Sequence, residues 1–461
     1  AGYLFAMIVL SIFTVGFVSM ARYITTAGAF YGFISHGLGQ VTGMASGLLA
    51  AVAYLIFEAS LIGGFSFFAP TYVLEPMGVR LHWMVIATIG ILVIAALTYF
   101  SVTLAAGVLG VTLVCEIILL VTLGVSVLLH PGPDGFLKES LSIPYAFEGL
   151  KANEYGSGAA AGVGAIGLFF AFWSWVGYET TAVYGEESSN PKRNVPMATM
   201  IAVIGLGLFY TFMSLMAIVG NGAAKSIQLS AGASPIDLWI GLVQGNLGGF
   251  AVGAYKFLVV MGSFACAMAF HNAAARYIFA MARETPWAGV RNTIGGVNAK
   301  HGSPAMASFL QSGITFLLCL FFLFTTSLPK EAGGNAAVPY VYVYGLLALV
   351  GTAMILIVQT LTSAAVVNYF WGKKVHRGHW LTTLVAPILG GLGMLFALYL
   401  LWSNKEFAAG LASNSIVYTL MPYYTVGLFV AGVVYAYYVK SKHPATYDMI
   451  GRTVLEEAHE R

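Results

Sequence analysis

Three glutamates lie inside long apolar runs of the sequence, at Glu58, Glu116 and Glu179. A charged side chain at the middle of a membrane costs roughly 2.5–3.5 kcal/mol, so such a carboxyl group is expected to be neutral, paired or facing water. Burial favours its neutral form, and a carboxylic acid that gains and loses a proton there can couple proton movement to a solute. For Glu58 and Glu116, a protonated and purely structural role is the alternative.

Glu179 closes an aromatic segment that contains one glycine, Phe172-Trp-Ser-Trp-Val-Gly-Tyr-Glu179. A glycine among bulky rings is a place where a membrane helix can unwind, and the freed backbone groups must then bind a solute, an ion or water. Broken helices near the membrane midplane form the binding sites of many transporters. An aromatic ring there can also hold a cationic amine against its face. The alternative is an ordinary packed helix that contains glycine.

The composition indicates that membrane helices position these residues. Of the 461 residues, 59% are hydrophobic and 8% are charged, whereas a soluble domain carries roughly 25% charged residues. The net charge is only +3 and the basic residues lie mostly in loops, so nucleic acid is not an expected partner. Three cysteines, Cys115, Cys266 and Cys319, lie in apolar runs and indicate neither a disulfide framework nor a metal site. We expect no cofactor.

Apolar runs of about 20 residues are long enough to cross the hydrocarbon core, and the sequence contains eleven of them. Their ranges are 3–21, 41–70, 83–100, 103–129, 160–187, 196–220, 252–282, 304–326, 338–371, 381–402 and 417–440. The sequence therefore predicts an all-α polytopic membrane protein. Ala1 opens almost directly into the first run, so we expect one further span before it.

Lysines and arginines between the runs predict the orientation, because short cytoplasmic loops are enriched in both. With the loop after the first run in the cytoplasm, thirteen lie on that side: Arg22, Lys192, Arg193, Arg283, Arg291, Lys300, Lys373, Lys374, Arg377, Lys440, Lys442, Arg452 and Arg461. Six lie on the other side: Arg80, Lys138, Lys151, Lys225, Lys330 and Lys405. We expect a multi-pass protein of the cell (inner) membrane with a cytoplasmic C-terminus.

No stretch of the sequence predicts an enzyme active site. The segment Gly162-Val-Gly-Ala-Ile-Gly167 matches the dinucleotide-binding fingerprint, but it opens a membrane run and follows no strand. Because that motif has meaning only between a strand and a helix, we expect these glycines to allow close helix packing instead. His271 is alone in its run, and we expect a packed or hydrogen-bonded side chain rather than a metal ligand.

Four segments resemble one family of transporters, the amino acid–polyamine–organocation (APC) permeases. The segment Trp173-Ser-Trp-Val-Gly-Tyr-Glu179, with Glu187 and Asn190-Pro-Lys-Arg-Asn-Val-Pro196, resembles the family's sixth-helix signature. Residues 21–31 resemble the loop after its second helix, 272–283 the inner end of its eighth, and 301–304 the entry to its ninth. The resemblance covers essentially the whole chain. It implies that the eleven runs are the second to twelfth of twelve helices, with the first one lacking.

The resemblance also implies the leucine-transporter-like fold, a five-plus-five inverted repeat plus two helices. The implied parts are the first repeat with helices two to five at 1–130, an extracytoplasmic loop at 131–159, the second repeat with helices six to ten at 160–372, two additional helices at 373–440, and a cytoplasmic tail at 441–461. Such a protein is a secondary transporter that works by alternating access. Its partners would be a small-molecule substrate, protons and the lipid bilayer.

Site residues follow from the resemblance position by position. Trp173 is similar to the aromatic gate of the arginine/agmatine antiporter branch, and Phe270 falls near that branch's eighth-helix aromatic. Glu179 would be a coupling acid, and Glu116 stands where several relatives carry a lysine, which makes it a second candidate for proton coupling. The remaining residues expected at the substrate are Glu58, Ser174, Trp175, Val176 and Gly177.

Substrate and coupling are predicted only by class. Acidic groups near the midplane and a tryptophan gate favour a cationic or zwitterionic amine, such as a basic amino acid or a polyamine. The segment Gly262-Ser-Phe-Ala-Cys266 has a single hydroxyl, which disfavours a sodium site and favours a proton symporter or antiporter, or an exchanger. A neutral amino acid permease is the alternative. A non-transporting receptor is less favoured, because only about twenty residues follow the last run, from Ser441.

Overall fold

The computed structural model describes residues 1–24, 28–100, 102–142, 166–183, 185, 188–230, 236–298, 302–375 and 378–452. Some sequence predictions therefore lie outside the described residues: those on 25–27, 143–159, 162–165, Glu187, Lys300, His301, Arg377 and 453–461. Within the described ranges every regular element is a helix.

Thirteen helices form the body of the described structure. They are α1 (Gly2–Ala21), α2 (Ala29–Leu38), α3 (Gln40–Ala69), α4 (Trp83–Phe100), α5 (Val102–Leu129), α6 (Ile166–Trp173), α7 (Pro191–Asn221), α8 (Asp237–Leu247), α9 (Gly249–Arg283), α10 (Ala305–Thr325), α11 (Leu347–Val367), α12 (Ala386–Ser403) and α13 (Met421–Lys442). The shorter α-helices are Ala223–Ser230, Ala288–Thr293, Lys405–Ala409, Ile416–Thr419 and Pro444–Met449. Segments of π-helix cover Pro70–Leu74, Pro339–Leu346, Asn368–Gly372 and Leu381–Val385. Turns of 3-10 helix cover Glu75–Met77, Lys138–Leu141, Tyr178–Ala182, Lys330–Ala332, Gly334–Ala337 and Gly410–Ala412.

Ten helical stretches in the described part are long and apolar enough to cross a membrane. They are Gly2–Ala21, Gln40–Met77, Trp83–Phe100, Gly110–Leu129, Pro191–Asn221, Gly249–Arg283, Ala305–Thr325, Pro339–Gly372, Leu381–Ser403 and Met421–Lys442. They coincide with ten of the eleven predicted runs, which confirms the all-α polytopic architecture. The other run, 160–187, differs because the α-helix in its described part is the short α6, which ends at Trp173.

Two helical stretches lie at the centre of the bundle. In Gln40–Met77, which contains α3, and in Pro339–Gly372, which contains α11, 72% of the most apolar part is buried, whereas only 22% is buried in Gly110–Leu129 of α5. Small residues bring the two central stretches together, since a Cβ atom at Gly63 would lie 2.7 Å from Cβ of Val343. Glycine at such a contact lets two helix backbones approach closely.

Candidate functional site

The helix that begins at Ile166 breaks in the aromatic segment. Helix α6 ends at Trp173, and residues 174–177 form a turn in which the backbone N–H of Val176 donates to the carbonyl of Trp173 at 3.0 Å. Gly177 has φ +112° and ψ −19°, a left-handed conformation that favours glycine because other residues carry a Cβ atom. A 3-10 helix, Tyr178–Ala182, follows. The prediction that α-helical hydrogen bonding lapses between residues 172 and 178 is confirmed.

Glu179 ties this turn to helix α3. Its side chain is buried, and the Tyr54 hydroxyl donates to its Oε1 at 2.8 Å. The backbone N–H of Gly177 donates to its Oε2 at 3.1 Å. Both carboxylate oxygens therefore accept a hydrogen bond from the protein, and one of these bonds holds the backbone of the turn itself.

Phe270 of α9 packs against the turn at Gly177. A Cβ atom at Gly177 would lie 3.3 Å from Cζ of Phe270. The half-buried ring of Phe270 stacks on Phe57 with centroids 5.0 Å apart and planes at 22°. Tyr54, the partner of Glu179, lies 6.0 Å from the same ring. The structure thus brings together three predicted site residues, Gly177, Glu179 and Phe270, around one aromatic cluster.

The two tryptophans of the segment have different surroundings. Trp175 is 1% exposed, and its indole N–H donates to the carbonyl of Val203 on α7 at 3.1 Å. Trp173 is half-buried, and its ring lies 5.6 Å from that of Tyr344. Trp175 therefore anchors the turn to a neighbouring helix, whereas Trp173 packs against the ring of Tyr344.

Ser174 lies between the two tryptophans and Val176 follows the second one, and both side chains are half-buried. The Ser174 hydroxyl donates to the Tyr3 hydroxyl of α1 at 3.4 Å, near the upper limit for a hydrogen bond. Val176 packs against the large hydrophobic core. The two side chains thus contact different neighbours.

Glu116 of α5 lines a cavity of about 470 Å³ among helices α5, α7, α8 and α9. Its half-buried carboxylate lies over Gly262 of α9, in the space that a Cβ atom there would need. The other polar and aromatic groups of the wall include Tyr3, Tyr210, Trp239, Tyr255, Ser263, Cys266 and Tyr344. Tyr344 also contacts Trp173, so one ring separates the predicted gate from the cavity of Glu116.

A comparison with protein families decides what kind of protein this is. A family model described as Amino acid permease matches residues 1–431. The chain belongs to the amino acid permease family. This family consists of membrane transporters and not of enzymes, so the broken helix and the cavity belong to a transporter of the APC superfamily.

Glu58 of this permease lies in a separate, fully buried cluster. His271 Nδ1 is 3.0 Å from its Oε1, and the Thr315 hydroxyl donates to its Oε2 at 3.0 Å. The amide nitrogen of Gln311 donates to the same Oε2. Both oxygens of Glu58 are thus bonded to protein groups, and its predicted contact with substrate stays a prediction.

His271 is hydrogen-bonded as expected, but its partners were not predicted. Its Nε2 lies 2.7 Å from the Ser308 hydroxyl, and its Nδ1 faces Glu58. A sequence signal for this cluster exists in α10, where Ser308, Gln311 and Thr315 are three and four residues apart. That spacing puts all three on one face of the helix. A polar face on an apolar membrane helix indicates that a polar partner packs against it. Within the described residues, no group of three or more His, Cys, Asp or Glu side chains could hold a metal ion.

Proposed function

We propose that this permease moves amino acids or small amines across the cell (inner) membrane by alternating access. The observation that carries the proposal is the break at Gly177, where Phe270 packs against the glycine and Glu179 accepts a hydrogen bond from its backbone N–H. A helix interrupted inside the membrane leaves carbonyl and N–H groups without helical partners, and a polar solute can satisfy them. The N–H groups of Ser174, Val176 and Gly177 already donate hydrogen bonds within the turn. The carbonyl groups of Ser174 and Val176 would therefore hold the ammonium group of the solute, and Gly177 would let it approach the backbone closely.

A cationic or zwitterionic amine is the substrate class that the side chains favour. Glu116 supplies an acidic group to a cavity whose wall is rich in tyrosine, and Tyr344 of that wall contacts Trp173. Aromatic faces and a carboxylate both attract an ammonium group, and the attraction is strongest where water is partly excluded. Trp173 would gate the passage between the cavity and the turn.

Proton coupling is proposed through Glu116, with Glu179 as a second acid. Glu116 is half-buried and lines a cavity, so it can exchange a proton with solvent when the cavity opens. A carboxylic acid in that position binds a proton on one side of the membrane and releases it on the other as access alternates. Proton symport and antiport would both use this acid together with the solute site, whereas exchange of one solute for another needs the solute site alone.

A neutral amino acid is the second candidate substrate, and one observation favours it. Tyr54 and the backbone of Gly177 each donate to one oxygen of Glu179, so the protein already holds this carboxylate in place in this conformation. A carboxylate bonded in this way stabilises the turn, and the charge of the substrate would then be recognised by other groups. If Glu116 does not contact the substrate, a zwitterion without a side-chain charge fits the site equally well.

Counterflow in liposomes tests the transport proposal and separates the two candidates. Purified protein is reconstituted, the vesicles are loaded with one unlabelled solute, and uptake of the same labelled solute is followed for arginine, agmatine, putrescine, leucine and alanine. We expect counterflow for at least one of these, and Trp173→Ala should abolish it. Counterflow confined to leucine and alanine would overturn the amine proposal, and no counterflow by any amino acid or amine would overturn transport itself.

The inverted repeats and the sidedness belong to the same proposal. Residues 1–130 and 160–372 would move against each other around the break at Gly177, and 373–440 would pack outside them. The excess of lysine and arginine in alternate loops supports a cytoplasmic C-terminus. Alternating access of this kind is a rocking of one repeat against the other around a fixed solute site.

A further inference from the structure

We propose that Glu58 and His271 together form a proton-binding site, buried between α3, α9 and α10 and separate from Glu116 and Glu179. The proton would be held as an imidazolium–carboxylate pair. The inference goes beyond the proposed transport activity and does not depend on which solute is carried.

Burial requires this cluster to be electrically neutral. Glu58, His271, Gln311 and Thr315 are each 0% exposed. Ser308 and Thr98 of the same cluster are 4% and 5% exposed. An isolated ionised carboxylate in such surroundings carries a desolvation cost of several kcal/mol. Unpaired buried charges are therefore neutralised by a proton or by a partner of opposite charge. Glu58 needs either a bound proton or a positively charged partner.

Counting hydroxyl protons from the far end of the cluster fixes the state of the histidine ring. The Thr98 hydroxyl donates to the carbonyl of Ile94 at 2.8 Å, which uses its only proton. The Ser308 hydroxyl, 3.0 Å away, must then donate to Thr98. Ser308 consequently has no proton left for His271, and it accepts a hydrogen bond from the ring Nε2 at 2.7 Å. Nε2 carries a proton.

The other ring nitrogen faces the carboxylate, so one more proton is needed there. His271 Nδ1 and Glu58 Oε1 are 3.0 Å apart, and two acceptors cannot lie at that distance without a hydrogen between them. Oε2 of Glu58 already accepts from the Gln311 amide and the Thr315 hydroxyl. Donors on a carboxylate favour its ionised form, so the proton resides on Nδ1 and the ring is an imidazolium.

His271 is the basic group that pairs with Glu58, at 3.0 Å. The Cys319 thiol of α10 also interacts with Glu58 electrostatically, but it cannot supply a positive charge. From α4 the cluster receives only the neutral hydroxyl of Thr98. Loss of the ring proton would therefore leave the carboxylate of Glu58 as a single buried negative charge.

The pair lies directly behind the aromatic cluster of the proposed solute site. Glu58 follows Phe57 and His271 follows Phe270, the two residues whose rings stack at 5.0 Å. Phe270 in turn lies on Gly177. The Glu58–His271 pair and the stacked rings of Phe57 and Phe270 lie in the same contact between α3 and α9. Binding or release of the proton would therefore act on Phe270, which packs against the turn.

Nitrogen-15 NMR of the full chain labelled at its nine histidines, in lipid nanodiscs at neutral pH, tests the inference. We expect one ring with both nitrogens protonated, whose signal disappears in His271→Gln. In Glu58→Gln we expect that ring to lose one proton and to give the signal of a neutral imidazole. Should His271→Gln fail to fold, Ser308→Ala assigns the same ring, because it removes the partner of Nε2.

Glu116→Gln is the matched control, since it neutralises an acid of the permease outside this cluster. We expect the His271 signal to be unchanged in that variant. A neutral His271 ring in the unmodified protein, or an imidazolium that persists in Glu58→Gln, would overturn the inference. None of these results depends on transport, so the failure of this inference is distinguishable from that of the proposed function.

Discussion

The carboxylate of Glu116 lies against the bare backbone of Gly262, in the space that a Cβ atom at that glycine would need. Glu116 of α5 can therefore lie against α9 because position 262 has no side chain. A glutamate has flexible torsions and can move away, so a methyl group at position 262 displaces the carboxylate without breaking the helix.

We expect Gly262→Ala to weaken counterflow of the best amine substrate by about tenfold, equivalent to roughly 1.4 kcal/mol. Gly253→Ala is the matched control, because that glycine lies on the same helix with nothing within 4 Å of its would-be Cβ atom. Uptake rates at several substrate concentrations measure the effect. Equal rates in both variants would show that the position of Glu116 on Gly262 has no part in transport.

Glu116→Gln tests the coupling role of the same acid. The variant keeps the shape and hydrogen-bonding capacity of the side chain but cannot titrate, so we expect solute exchange to continue while pH-driven accumulation is lost. Uptake by proteoliposomes with and without an imposed pH gradient measures both quantities. Gradient-driven accumulation equal to that of the unmodified protein, or a strict requirement for sodium, would contradict the prediction.

The two tryptophans of the broken segment should respond differently to truncation. Trp175 is buried and hydrogen-bonded to α7, so we expect Trp175→Ala to destabilise the protein by roughly 3–5 kcal/mol. Trp173→Ala should leave thermal unfolding nearly unchanged and abolish counterflow. Trp402→Ala is the control for both, because that ring is 57% exposed on α12. A lower melting temperature in Trp173→Ala than in Trp175→Ala would reverse these assignments.

The helices and the break could be predicted from the sequence because their signals are local. Apolar length predicts a span, and a glycine among large rings predicts the interruption at Gly177. The buried pair could not be predicted, since Glu58 is 213 residues from His271 and 257 from Thr315. Trp173 and Trp175 are only two residues apart, and which ring is buried depends on how the turn is rotated against α7.

Sidedness can be tested with single cysteines in a background without the three native ones. Lys225 and Lys374 are both exposed in the structure, and the distribution of positive charge predicts that they lie on opposite sides of the membrane. We expect an impermeant maleimide added to intact cells to label Lys225→Cys only. We expect Lys374→Cys to be labelled only after the cells are permeabilised. Labelling of Lys374→Cys in intact cells would invert the topology.

The segment after α13 docks onto the end of α9. The backbone N–H of Gly451 donates to the Glu284 carboxylate at 2.7 Å, the Tyr31 hydroxyl of α2 donates to the same oxygen, and Ile450 is fully buried. Burial, followed by the nearby Glu284, raises the pKa of Tyr31 well above its usual value of 10.0. The protonated hydroxyl is therefore the form that the folded protein requires.

This raised pKa predicts an alkaline loss of stability with a definite sign. In the unfolded chain Tyr31 loses its proton near pH 10, whereas in the folded chain it keeps it, so its contribution is complete below about pH 10 and decreases as the pH rises further. We expect Tyr31→Phe to be less stable than the unmodified protein at neutral pH, by about 1–3 kcal/mol, and to lose less stability between neutral and alkaline pH. Thermal unfolding in detergent at neutral and at alkaline pH measures how much stability each protein loses as the pH rises. Parallel slopes in the two proteins would mean that Tyr31 does not hold its proton against Glu284.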